Sequence, residues 1–565
     1  MSIPVSMVMT VLFMVSSVIK GKVDALLAVL VFLLTSLALP ILVCAKGPLE
    51  REVVVLAVND VYRIEGVEGG QRGGMSLIRA LRTQLEQQSP DLLFLHAGDF
   101  LFPSLLSKWT NGAHMIGVMN ALDGAPGTYD PRMFVVFGNH EFDKSKQKHA
   151  ALLQARIDQS EFQWLSTNIR FSQREGKPLV ASDNLTRARI VESGGVRVGI
   201  FGLTTDKKSA DKIAYVDEFM DPVHVAQEQT TLLHEQGAEV VIALTHLSLA
   251  KDREILEQLG ERAPHLIIGG NEHQRHHVEI GGRWILKADA DARTATVVRI
   301  RMHGKRPVIS FGYRFLDRDR LNRDSKMHKQ VDQYLGKHEE WFCTKNNDEP
   351  DCLNRAIGET AVPLLGEELE IRRYETNLGN WVADHARAVA ADADIAFINA
   401  GSLRLNEDIP PGPITQRHVE ELLLYDSELV FAEIEAHQLD GVLERATENW
   451  VGEGHWLQIS GFAFKHDSRN PAGHRASDMR LFHNGRISPL PDRPLKLVTS
   501  RFLIEGGDDY HMLKNLKWVS VVSSLKDRIR SILANEHGPI APQVDGRICH
   551  VTEIGRRPCV YQNNP

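Results

Sequence analysis

Five apolar runs in this sequence each stop at residues able to bind a cation or move a proton. Val53 to Val58 runs into Asn59-Asp60-Val61-Tyr62, DLLFLHAGD delivers Gly98-Asp99, and FVVFGNHEFD delivers Asn139, His140, Glu141 and Asp143. EVVIALTHLS then supplies Thr245-His246, and HLIIGGNEH supplies Gly270-Asn271-Glu272-His273. Any one Asp or His after a strand is more often a cap or a surface group. Carboxylate, carboxamide and imidazole at successive strand ends are instead the ingredients of a two-metal hydrolytic site. A bridging carboxylate would let two divalent ions sit about 3.5–4 Å apart, where they clamp a phosphate and acidify a water.

The elements that must position these residues are short buried-type strands alternating with helical segments from Glu52 onward, beginning with VVVLAV and the helix pattern GGMSLIRALRTQLEQQ. Such alternation is the signature of an α/β domain, with ligands beyond the carboxyl ends of the strands. Residues 50–315 form this first domain. A charged stretch with little apolar periodicity, 316–354, reads as a linker with a solvated helix, and a second α/β region covers 355–545, followed by a tail over 546–565.

At 565 residues the chain exceeds one hydrophobic core, and its net charge of −8 argues against nucleic-acid binding. The N-terminal region, 1–46, holds an apolar stretch from Ile3 to Ile19 and a second from Ala25 to Ala45. The second is long enough to span a bilayer and closes on a small-x-small pattern. Both an export signal and a membrane anchor fit it, and either puts the rest of the protein outside the cytosol. Cys343 with Cys352, and Cys549 with Cys559, each enclose a short polar loop, which fits two local disulfides in an oxidising compartment. Asn184-Leu185-Thr186 is a glycosylation sequon.

The series NDVY…GD…GNHEFD…TH…GGNEH resembles the calcineurin-like metallophosphoesterases, in the branch joined to a C-terminal 5′-nucleotidase domain. The resemblance implies a β-sandwich flanked by helices followed by an α/β substrate domain. It implies two divalent metal ions (Mn, Mg or Zn), with Asp60 and His273 on the first, Asp99 bridging, and Asn139 and His246 on the second. His140 resembles the family's catalytic histidine, and Asp143 would hold its imidazole. Two positions depart from the pattern: Tyr62 stands where a histidine is usual in the first motif, and Asn271 where one is usual in the last. Whether either ligates a metal stays open.

In the second region, RRYETNLGNWVADHARA, INAGSLR, GHWLQISG and RFLIEGGDDY offer arginines to grip phosphate and aromatics to sandwich a planar base. They resemble the 5′-nucleotidase substrate domain, which implies Arg372, Asn399 and Arg404 on phosphate or base. It likewise implies Trp456 and Phe502 stacking the base, and Asp508 on the ribose. The expectation is a metal-dependent phosphomonoester hydrolase acting on nucleoside monophosphates. The alternatives are a phosphatase for sugar phosphates or other small esters, and a surface binding protein with impaired catalysis.

Overall fold

The computed structural model describes residues 51–205, 212–450 and 452–562. The expected signal or anchor over 1–46 lies outside them. Among the described residues no helix is long and apolar enough to cross a membrane.

The first domain is a two-sheet sandwich. A seven-stranded sheet runs Arg306–Phe315, Thr294–His303, Glu52–Val58, Leu93–His96, Met133–Val136, Gln163–Leu165, Leu185–Thr186 in spatial order. A six-stranded sheet runs His276–Ile280, Arg283–Lys287, Leu266–Gly269, Val240–His246, Val196–Thr204, Ala188–Ser193. Alternate residues of both sheets, among them Val53, Leu95 and Val136 from one and Val198, Ile242 and Leu266 from the other, meet in one dry core. The residues between them point outward, against the Met75–Glu86 helix on one side and the Pro222–Glu235 and Leu249–Leu259 helices on the other. Burial on both faces is why these strands read as unbroken apolar runs. Glu52–Val58, Leu93–His96 and Met133–Val136 are mutually parallel, as are Val196–Thr204, Val240–His246 and Leu266–Gly269.

The second domain has a five-stranded sheet, ordered Leu457–Ser460, Ile395–Asn399, Leu495–Ser500, Leu429–Ile434, Trp518–Val522, beside a four-stranded one. The expected tail is part of that fold. Ile548–His550 pairs in parallel with Phe462–His466, and the buried Glu375 carboxylate accepts from the N–H groups of Asp545, Gly546 and Ile548. The linker stretch holds the expected helix, Ser325–Lys345, but one side of it is not solvated: it packs on the Met75–Glu86 and Ala113–Met119 helices. Met327, Val331, His338 and Cys343 are buried along it. With Tyr334, Leu335 and Phe342 they form one stripe at three-to-five-residue spacing, a pattern the many intervening charges obscure in the sequence. Disulfides join Cys343 to Cys352 and Cys549 to Cys559, the expected pairing.

Candidate metal centre and substrate cleft

The parallel strand ends converge on one edge of the sandwich, and there the backbone turns sharply. Asp60, Asp99, Asn271 and His273 all take positive φ, at 52°, 57°, 86° and 61°. Non-glycine residues adopt this region at a cost that the surrounding structure must offset. The turns bring the side chains of Asp60, Asp99 and His273, from three strand ends, toward a common point, and they need glycine beside them. A Cβ on Gly138 would sit 2.1 Å from Asp99 Oδ1, and one on Gly270 would sit 2.5 Å from the Ala97 carbonyl.

Asp60, Asp99 and His273 are buried, and their ligand atoms lie within 4.8 Å of one another. His246 Nδ1–H donates to the Ala97 carbonyl at 2.7 Å, which leaves the Nε2 lone pair 3.2 Å from Asp99 Oδ2. His273 Nδ1–H donates to Glu368 Oε2 at 2.7 Å, which sets its Nε2 lone pair 3.3 Å from Asp60 Oδ1. Asp60 Oδ1 and His246 Nε2 are buried without a hydrogen-bond partner. Lone pairs facing carboxylate oxygens repel unless a cation lies between them, so the donor set fits divalent metal. Without metal a proton takes that place. Burial opposes the imidazolium at both residues, yet Asp99 and Asp60 raise His246 to about 9, and Glu368 and Asp60 raise His273 to about 10.

Tyr62 is at this centre. Its hydroxyl lies 3.2 Å from Asp99 Oδ2 and 3.0 Å from His273 Nε2. Asn271 contributes its main-chain N–H to Asp60 Oδ2 at 2.9 Å. Asn139 follows Gly138, and its carbonyl accepts from Phe142 N–H across the turn. His140 donates its main-chain N–H to Asp99 Oδ1 at 2.8 Å, and its Nδ1 lies 3.1 Å from Asp143 Oδ2. Glu141, quoted in the motif but given no role from sequence, ties the site together. Its Oε2 accepts from Asp99 and Gly138 N–H at 2.9 and 2.6 Å, and its Oε1 from Phe100 and Leu101 N–H at 2.8 and 3.0 Å. Glu272 turns away, to Lys287 Nζ at 2.6 Å.

The second domain faces this centre. The Arg404 guanidinium lies 5.6 Å from the Tyr62 ring centre, a cation over an aromatic face. Arg372 Nη2 is 2.7 Å from Glu368 Oε1. Asn399 Nδ2–H donates to Asp508 Oδ2 at 2.8 Å, and Ser402 donates to Asn399 Oδ1 at 2.5 Å, so these residues form one polar corner. Phe502 is 49% exposed beside that corner, its ring against the backbone of Gly507. Trp456 departs from the expected role. It is 2% exposed, inside the hydrophobic core, its ring stacked 5.8 Å from His550 and its Nε1–H donated to the Tyr374 carbonyl. An indole so enclosed offers no face to a base. Tyr425, not singled out from the sequence, is an exposed aromatic near Arg404. It is 41% exposed, and burial of its hydroxyl end among Arg404, Asp143 and Arg372 pushes the phenol up to about 12. In LLLYDSEL the leucines on both sides, Leu422 to Leu424 and Leu429, are buried, and Tyr425 is not. At the sequon, the Asn184 amide is committed to the Ile157 and Ser160 carbonyls.

The chain matches the model of the calcineurin-like phosphoesterases over residues 53–275 and that of the 5′-nucleotidase C-terminal domain over residues 356–515. A snake venom 5′-nucleotidase of Gloydius brevicauda is 26% identical over 542 residues, spanning 88% of each chain. A 5′-nucleotidase of Diplobatis ommata is 24% identical over 559 residues, spanning 90% of this chain and 92% of its own. Among solved structures, a 5′-nucleotidase precursor from Thermus thermophilus superposes with a TM-score of 0.72 at 23% identity, covering 89% of this chain and all of its own.

Proposed function

We infer, from a chain that joins a calcineurin-like phosphoesterase domain to a 5′-nucleotidase C-terminal domain, that the protein is a metal-dependent phosphomonoester hydrolase whose substrate is a nucleoside 5′-monophosphate. The observation that carries this reading is the pair of buried imidazole lone pairs facing Asp99 and Asp60 at the ends of parallel strands. Asp60 and His273 would hold one ion, with the Tyr62 hydroxyl beside them, Asn139 and His246 the other, and Asp99 both. When bound, two such ions supply Lewis acidity toward phosphate and a nucleophile at neutral pH.

The chain's own residues do the rest. Asp143 on Nδ1 fixes the His140 ring, so that Nε2 is the atom turned to substrate, where it hydrogen-bonds the phosphate and returns a proton to the leaving alcohol. Arg404, beside Tyr62, is positioned to grip a phosphate oxygen. Tyr425 and Phe502, both large exposed aromatics, support base stacking by this pair, with Tyr425 taking the part expected of Trp456. Asn399 and Asp508 supply hydrogen bonds suited to a ribose. The two disulfides and the apolar run over 25–45 support action outside the cytosol.

Phosphate release from AMP and from sugar phosphates of equal charge, each with Mn²⁺, Mg²⁺ or Zn²⁺ and with a chelator, tests the reading. AMP should be favoured at least tenfold in kcat/KM, and Tyr425→Ala should erase that preference. Equal rates on both ester classes would reassign the substrate to small phosphate esters, and chelator-resistant turnover would remove the metal.

A further inference from the structure

One ligand of the metal centre is held by a residue from the other half of the chain. His273 closes the last strand-end turn of the sandwich, yet its Nδ1–H donates to Glu368, which lies beyond the Ser325–Lys345 helix in the second domain. The pair is buried, with 9% and 2% of the side chains exposed. The other carboxylate oxygen lies 2.7 Å from Arg372 Nη2 as an ion pair without an aligned hydrogen bond, so Glu368 stands between a cation and an imidazole. Its neighbour, Glu367, caps the same four-residue helix and pairs with Arg293 of the sandwich at 2.9 Å. Two consecutive carboxylates thus reach across the domain boundary, one to a ligand and one to a structural arginine.

We propose that Glu368 is a positioning residue for the metal ligand His273, so that the second domain takes part in holding the first metal ion. A carboxylate on the remote nitrogen of a ligating histidine fixes its tautomer, aims the other lone pair and raises its basicity. The other side-chain contacts of His273, with Tyr62 and Asp60, lie on the metal side, so Nδ1 is where a partner orients the ring from behind. The consequence is that affinity for the ion depends on a residue that does not touch it and that belongs to the substrate-binding half.

This rests on the metal reading above, and the test separates the two. Mn²⁺ is titrated into the full chain, with binding followed by calorimetry and by the electron paramagnetic resonance of free ion. Glu368→Gln should weaken one of two sites by about 10–100-fold, the scale for a lost outer partner, and leave the other within about twofold. In a His273→Asn background the same substitution should add nothing further, since the imidazole it orients is gone. Wild-type affinity in Glu368→Gln overturns the proposal. So does an equal loss in both backgrounds, which would make the effect one of folding. If the parent chain itself binds no Mn²⁺, the metal reading falls as well.

Discussion

Replacing Glu141 with glutamine changes one oxygen for an amide nitrogen and nothing else in size. Whichever way the amide is turned, its nitrogen faces two main-chain N–H groups, those of Asp99 and Gly138 or those of Phe100 and Leu101. Two buried donors lose their acceptor, at about 1–3 kcal/mol each, so the variant should be less stable by roughly 2–6 kcal/mol. That is a large share of the about 5–15 kcal/mol by which a domain is usually stable. Leucine strips all four acceptor bonds and should cost about twice as much. The Asp99 and Gly138 N–H groups flank the bridging carboxylate and the histidine turn, so kcat should also fall, by about tenfold or more for a misplacement on the ångström scale. Urea unfolding followed by circular dichroism, together with steady-state kinetics on AMP, measures both. Stability within about 1 kcal/mol of the parent, with parental kcat, would refute the view that this carboxylate braces the site.

Other substitutions separate chemistry from packing. His140→Ala should lower kcat by about 10²–10⁴ with little change in KM, read from saturation kinetics. Trp456→Ala should cost about 3–5 kcal/mol in denaturant unfolding, and it should slow AMP and sugar-phosphate hydrolysis alike, because the indole is core. His338 is buried among Trp109, Trp341 and Phe342, and burial pushes it down to about 4 from an unfolded value of 6.5. Between those values the unfolded chain binds the proton and the folded chain does not, so stability is lost as pH falls through the window. The loss attributable to this residue is roughly 3 kcal/mol. His338→Leu should flatten the melting temperature between pH 6.5 and 4 relative to the parent.

The sandwich and its strand-end chemistry were legible because burial on both faces leaves an apolar run and a sharp stop. Asp60, Asp99, His246 and His273 stand where those runs end. What escaped depends on partners that no local pattern encodes. Glu141 does its work through main-chain N–H groups, three of which belong to residues forty positions away or more. The burial of Trp456 escaped for a related reason. Gly-rich flanks suggest an accessible ring at Trp456, but the strand it enters, Leu457–Ser460, is buried throughout, and the ring goes with it. The Ser325–Lys345 stripe was hidden by the charges between its apolar positions, which point to water as an amphipathic helix requires.

The boundary between the two domains has a composition of its own. Arg63 pairs with Glu407 and Glu421, Arg293 with Glu367, and His273 with Glu368. Parting these pairs would return ions to water, the loss of charge pairing set against regained hydration, beside the smaller apolar cluster of Leu105, Leu353 and Leu424. That balance shifts with dissolved electrolyte and barely with heat capacity, whereas an apolar seam behaves in the opposite way. Dissolved salt should therefore bear on how firmly the charged part of this boundary holds.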